Sequence, residues 1–243
     1  MLKRICIFFI FIIILVSCAV KRESFQVGID PTFYPARLHG KEANVYAFSK
    51  ELLHAISLEE NVFFHTVTVR WDALMFGLKD KQYQGILNAM IPRANLQNTY
   101  LFSKPYLYMG PVLIVKKEGD GTQAVSFKGK EIGVISTQQE ALVAENYPEA
   151  QVRYYDSIPA ALEDVVGSEI DGVLVDHLQA IAYARHIYRS QIAIASPPLT
   201  EVGLSLIALK GEGERLLEVF ERGLEKLQQS GMYERLLKKW DLS

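Results

Sequence analysis

The sequence predicts an α/β fold of mostly parallel sheets behind an N-terminal export leader. Three observations predict it. Apolar, β-branched runs of strand length alternate with segments whose apolar residues recur at helical spacing, and that alternation specifies α/β units. Polar residues close three of the expected strands, Asp30, Ser136-Thr137 and Asp176, and ligands of such folds sit outside the carboxyl ends of strands. The chain begins with Lys3-Arg4, an apolar run from Ile5 to Val16 and then Ser17-Cys18, the basic, apolar, small order of an export signal.

After the leader, Phe25 to Ile29 reads as a strand ended by Asp30-Pro31. Tyr46 to Ile56 carries Phe48, Leu52, Leu53 and Ile56 at helical spacing. Val62 to Val69 alternates as a strand, Trp71 to Leu78 is helical, Gly85 to Met90 is a short apolar strand, and Pro111 to Val115 is another before a Gly119-Asp120-Gly121 turn. A second unit follows. Lys130 to Ile135 is a strand, and Thr137-Gln138-Gln139-Glu140 fits a capping box opening a helix from Gln138 to Asn146. Val152–Tyr155 is a strand, Pro159–Val166 a helix, Asp171–Asp176 a buried strand with a carboxylate at its end, and His177–Ile187 a helix. Leu204–Leu209 returns as a strand. Glu214–Gln229 is amphipathic, with Leu216, Val219, Phe220, Leu224 and Leu227 on one stripe. Ser230-Gly231 breaks it, and Met232–Trp240 is the last helix.

A formal net charge of −2, with no basic cluster longer than a pair such as Lys238-Lys239, leaves no nucleic-acid footprint. Both cysteines, Cys6 and Cys18, fall in or at the end of the leader, so the body has no disulfide pair and no zinc spacing. The five histidines (His39, His54, His65, His177, His186) show no metal-binding spacing. There is no phosphate-binding Gly-x₄-Gly-Lys loop, and Gly203-Leu204-Ser205-Leu206-Ile207 lacks the final glycine of a nucleophile elbow. No metal, nucleotide or covalent cofactor is implied.

Leu15-Val16-Ser17-Cys18 resembles a bacterial lipobox. The resemblance implies a signal peptide over 1–17, cleavage before Cys18, lipid on its sulfur, and a tether over 18–24. A transmembrane anchor is the other reading, but the apolar run is shorter than the roughly 20 residues a bilayer needs. The expected location is outside the cytoplasm, periplasmic or at the cell surface, held to the membrane through Cys18.

Five segments then carry a resemblance along the body. They are Val27-Gly28-Ile29-Asp30-Pro31-Thr32-Phe33-Tyr34-Pro35; Trp71-Asp72-Ala73-Leu74 with Leu78; Phe102-Ser103-Lys104-Pro105-Tyr106; Ile170-Asp171-Gly172-Val173-Leu174-Val175-Asp176; and Ser230-Gly231-Met232-Tyr233 with Leu236 and Lys239-Trp240. In order and spacing the chain resembles the periplasmic solute-binding proteins of ABC importers, in the polar amino acid group (family 3). The resemblance implies a type II two-lobe periplasmic binding protein fold with two hinge strands. Lobe one would hold 25–107 and 204–243, and lobe two 108–203. A solute is enclosed when the lobes close, and an ABC permease reads the closed state. The expected partners are a small solute (amino acid, small peptide or amine), the permease and the membrane, with the protein a monomer.

The resemblance also implies site residues. Phe33 and Trp71 would sandwich the solute, Asp176 would hold its α-ammonium, and Asp30 is a second acid that either reaches the solute or shapes its loop. Asp176 is also placed to cap the next helix. The family reads the α-carboxylate with an arginine where this chain has Leu96, and Ile91 and Arg93 stand at threonine-rich positions. Arg93 either swings in to replace that arginine or is an exposed loop charge. The second carboxylate reader is a turn at a helix start, here Thr137 and Gln138, where free backbone N–H groups favour an anion. Two other readings of the same fold remain open: a surface interaction lipoprotein without transport, and a cyclohexadienyl dehydratase-like enzyme using Asp176 or Glu201. The reading carried forward is a binding protein, not an enzyme.

Overall fold

The computed structural model describes residues 22–117 and 126–243. The leader, Cys6, Cys18 and the Gly119–Gly121 turn lie outside the described residues. Two sheets organise the chain. The first has the order β2-β1-β3-β11-β4, with β5 also pairing β11. Its strands are β1 (Ser24–Ile29), β2 (Phe63–Thr68), β3 (Gly85–Asn88), β4 (Tyr100–Phe102), β5 (Leu107–Tyr108) and β11 (Gly203–Leu209). The second has the order β10-β6-β9-β7-β8, from β6 (Pro111–Lys116), β7 (Glu131–Val134), β8 (Gln151–Tyr154), β9 (Gly172–Asp176) and β10 (Ile192–Ile194).

The apolar stripes decide which helix faces cover the sheets. Helix α1 (Glu42–Glu60) buries Val45, Phe48, Leu52, Leu53 and Ile56, and ends at Asn61 in the left-handed conformation (φ 53°) with its N–H on the Ser57 carbonyl. Helix α7 (Glu214–Gln229) buries Leu216, Val219, Phe220, Leu224 and Leu227 in the same core. On the other face of the sheet, α2 (Trp71–Lys79) sets Leu74 and Leu78 against Tyr83, Ile86, Tyr100 and Ile207. The second lobe packs α4 (Thr137–Asn146), α5 (Ile158–Gly167) and α6 (His177–Ala182) on its sheet. A π-helical turn, Tyr183–Ile187, continues α6, and α8 (Met232–Lys239) closes the chain. No helix among the described residues is long and apolar enough to cross a membrane.

The sheets are mixed rather than mostly parallel. Strands β2, β1 and β3 are parallel, as are β8, β7 and β9. Strand β11 runs antiparallel to β3, and β6 antiparallel to β9. These two begin directly after the segments that cross between the sheets, so no βαβ connection dictates their direction. Four short elements escape the sequence reading: α3 (Ala94–Gln97), β4, β5 and β10, all too brief for a period to show. The helix cap also differs from expectation. Ser136, not Thr137, is the N-cap of α4, its Oγ accepting the Gln139 N–H at 3.3 Å. The Gln139 side chain in turn accepts the Ile135 N–H at 2.8 Å.

The two crossing segments pair with each other. Gly203 and Leu204 lie opposite Tyr108 and Leu107, and the N–H groups of Met109 and Gly110 both reach the Val202 carbonyl. A side chain on Gly110 would meet the backbone oxygen of Thr200 at 2.9 Å, so only glycine lets the crossings approach so closely.

The lobes also touch away from this crossing. Leu178 and Ile181 of α6 are buried in the lobe-one core with Phe33 and Leu38. Asp241, after α8, accepts Lys41 and takes Arg185 Nη1 at 2.7 Å, with His186 Nε2 at 3.4 Å. Partial burial alone would raise the Asp241 carboxyl, but the hydrogen bonds from Lys41 and Arg185 outweigh it and hold the group down to about 2. A carboxyl lowered on folding stabilises above its unfolded value near 3.8 and loses that contribution as pH falls toward 2. The shift corresponds to about 2 kcal/mol. Urea midpoints of the wild type should therefore fall between pH 4 and pH 2, and Asp241→Asn should flatten that part of the profile. An unchanged profile would contradict this role for Asp241.

Candidate functional site

The segments that follow β1, β2, β7 and β9 supply most of the candidate residues. After β1, the Asp30-Pro31-Thr32 turn leads into Phe33, which has left-handed backbone (φ 53°). That turn sends the Phe33 ring inward, where it is 0% exposed within the core cluster. Phe33, which the resemblance implies would stack on solute, is therefore closed to solvent, and the next residue is open to it. Tyr34 is 52% exposed, and its ring lies 4.7 Å from that of Trp71, tilted by 47°. Trp71 itself is 53% exposed, as the first residue of α2. The exposed aromatic pair is thus Tyr34 and Trp71. Such rings offer broad apolar area, and the Tyr34 hydroxyl keeps a polar tip for water or a ligand.

Asp30 is 4% exposed. Its two oxygens accept the Thr32 N–H at 3.2 Å and the Thr32 hydroxyl at 2.7 Å. Of its two sequence-level roles, the geometry fits the loop-shaping one, an Asx turn. Both of its oxygens are engaged within the loop.

Asp176 ends β9 and stands at the N-cap position of α6, yet its side chain makes no capping hydrogen bond. The carboxylate is instead half-exposed and meets lobe one. Its Oδ2 lies 3.7 Å from His39 Nε2. The acid is therefore free of a structural duty within its own lobe and lies where the two lobes meet.

The carboxylate side of the expected site is built differently. Arg93 is exposed at the N-cap of α3 and has no carboxylate partner among the described residues. Leu96 is half-buried against the cluster of Leu74, Leu78 and Ile86, so an apolar contact replaces the expected arginine fork. Thr137 and Gln138 are both exposed in the first turn of α4. Their N–H groups belong to those that have no partner inside a helix, while Ser136 occupies the Gln139 N–H. A first turn of this kind can receive an anion.

A separate cavity of about 480 Å³ opens beside the crossing segments, lined by Ile91, Phe102, Lys104, Glu201 and Glu221 among others. Tyr34, Trp71, Thr137 and Asp176 do not line it. The expected site residues therefore fall into two groups: Trp71, Arg93, Thr137, Gln138 and Asp176, which are open to solvent in whole or part, and Phe33 and Asp30, which are buried beneath the loop.

Two α/β lobes joined by paired crossings, with exposed rings on one and a half-exposed strand-end carboxylate on the other, have the architecture of a two-lobed solute receptor. The chain belongs to the bacterial extracellular solute-binding proteins, family 3, whose model matches residues 25–243. Among similar proteins, the L-cystine-binding protein TcyJ of Escherichia coli is 26% identical over 223 residues, covering 90% of this chain and 83% of that protein. The ABC transporter arginine-binding protein 1 of E. coli is 25% identical, with 90% of each chain covered. The unliganded open L-cystine solute receptor of Neisseria gonorrhoeae superposes with a TM-score of 0.65 at 22% identity, covering 92% of this chain and 94% of that one. An ancestral cyclohexadienyl dehydratase superposes with a TM-score of 0.67 at 20% identity, covering 90% and 92%. These superpositions share the fold.

Proposed function

We infer that this chain is the exported solute-binding subunit of an ABC importer, and that it captures an amino acid or amine-bearing solute by closing its lobes. The observation that carries this reading is Asp176: a carboxylate at a strand end, unused as a helix cap, turned toward the opposite lobe. An acid so placed suits an ammonium group, and the Tyr34–Trp71 pair suits the body of the solute, with cation–π attraction for a cationic one. The α4 first turn at Thr137 and Gln138 takes the carboxylate in place of the missing arginine, and Arg93 remains a solvated charge. Relatives named for cystine and arginine binding support an amino-acid class of solute. Binding rather than catalysis follows from those relatives and from Leu96, which removes the fork a dehydratase would need to grip its carboxylate. The lipobox-like Leu15–Cys18 supports a lipid tether at Cys18, the mature chain working as a monomer at the membrane surface.

The test is a thermal-shift panel of L-cystine, L-arginine, L-histidine, small peptides and polyamines on the purified body. A true solute at about 100 times its Kd should add ~2.7 kcal/mol of stability. If no member of these classes stabilises the protein, the receptor reading fails, and a surface interaction role without transport takes its place.

A further inference from the structure

His39 is held over Asp176 by its neighbours on both sides. His39 and Gly40 are consecutive left-handed residues (φ 51° and 82°). Histidine visits that region more readily than most residues, but it remains uncommon and needs support. Leu38 supplies it from one side, 1% exposed in the core that Leu178 and Ile181 of the other lobe share. Lys41 supplies it from the other side, its N–H on the Leu38 carbonyl at 2.9 Å and its ammonium on Asp241. Between these anchors the imidazole crosses the lobe boundary to the carboxylate.

The charges around the pair are otherwise committed. Lys41, Arg185 and His186 all turn to Asp241. His177, next to Asp176, places Nδ1 at 3.0 Å from the Tyr108 carbonyl. Among the described residues His39 is the one basic side chain within 4.0 Å of the Asp176 carboxylate.

We propose that His39 is a built-in occupant of the ammonium subsite and so a specificity-determining residue: with no solute bound it sits on Asp176, and a solute gains entry by bringing an ammonium that displaces it. This rests on the reading of Asp176 as the solute's acid. The contact at 3.7 Å, with side chains 26% and 48% exposed, is of the weak, displaceable kind. An ammonium with hydrogen bonds to the same oxygens replaces it, while a neutral or anionic solute has nothing to displace it with.

Tryptophan-fluorescence titrations with L-cystine and L-arginine, on wild type, His39→Ala and His39→Lys, test this. His39→Ala should bind two- to fivefold more tightly than wild type, and His39→Lys should bind more weakly. Weaker binding by His39→Ala, or equal binding by all three, overturns the proposal. Small-angle scattering of the empty proteins supplies a readout that needs no solute. His39→Ala should be more open than wild type, and identical profiles overturn the contact even if neither amino acid binds. A more open variant with no amino-acid binding would instead defeat the solute reading of Asp176 while leaving the contact in place.

Discussion

Replacing Phe33 by alanine is expected to cost about 3–5 kcal/mol of folding stability, as deleting a large buried ring does when the site cannot collapse. The ring is 0% exposed, and its cluster includes Leu38 of its own loop and Leu178 and Ile181 of the opposite lobe. The cavity would therefore open at the seam between the lobes. Urea denaturation measures the loss. Trp71→Ala is expected to do the reverse: a 53% exposed side chain leaves the midpoint nearly unchanged. Solute affinity should then drop tenfold or more, about 1.4 kcal/mol. A stable Phe33→Ala that has lost its solute would place Phe33 on the binding face and contradict its role in the core.

Asp176→Asn should weaken solute binding by about 10- to 150-fold, because a hydrogen bond to a charged group contributes about 1.5–3 kcal/mol. Asparagine keeps the shape and removes the charge. The fold should tolerate it, since the carboxylate makes no capping bond and its contact with His39 spans 3.7 Å. Titration of the variant beside wild type reads the loss, and circular dichroism melting checks the fold. Affinity within twofold of wild type would remove Asp176 from the site. A large loss of stability would mean that the carboxylate holds the lobes together rather than the solute.

Legibility in the sequence followed the strength of local pattern. Helix α7 was readable from Glu214 to Gln229 because its five apolar residues form an unbroken stripe. Strand β9 was readable because a run of apolar residues stops at a carboxylate. The site was harder. Phe33 and Tyr34 are adjacent aromatics, and composition does not tell which of them turns inward; the left-handed backbone at Phe33 decides it. Thr32 hinted at the fate of Asp30, as a hydroxyl two residues after an aspartate commonly closes a turn. The contact of His39 with Asp176 joins residues far apart in the chain and has no local signature. The Asp241 cluster depends likewise on docking of the last turn.

A crystal structure of the body grown with the solute that raises its melting temperature most would test the central claim directly. It should show one small molecule between the lobes, with its ammonium on Asp176, its body against Trp71 and Tyr34, and His39 turned away from the acid. A solute bound on one lobe alone, or in the cavity beside the crossing segments with Asp176 still on His39, would contradict it.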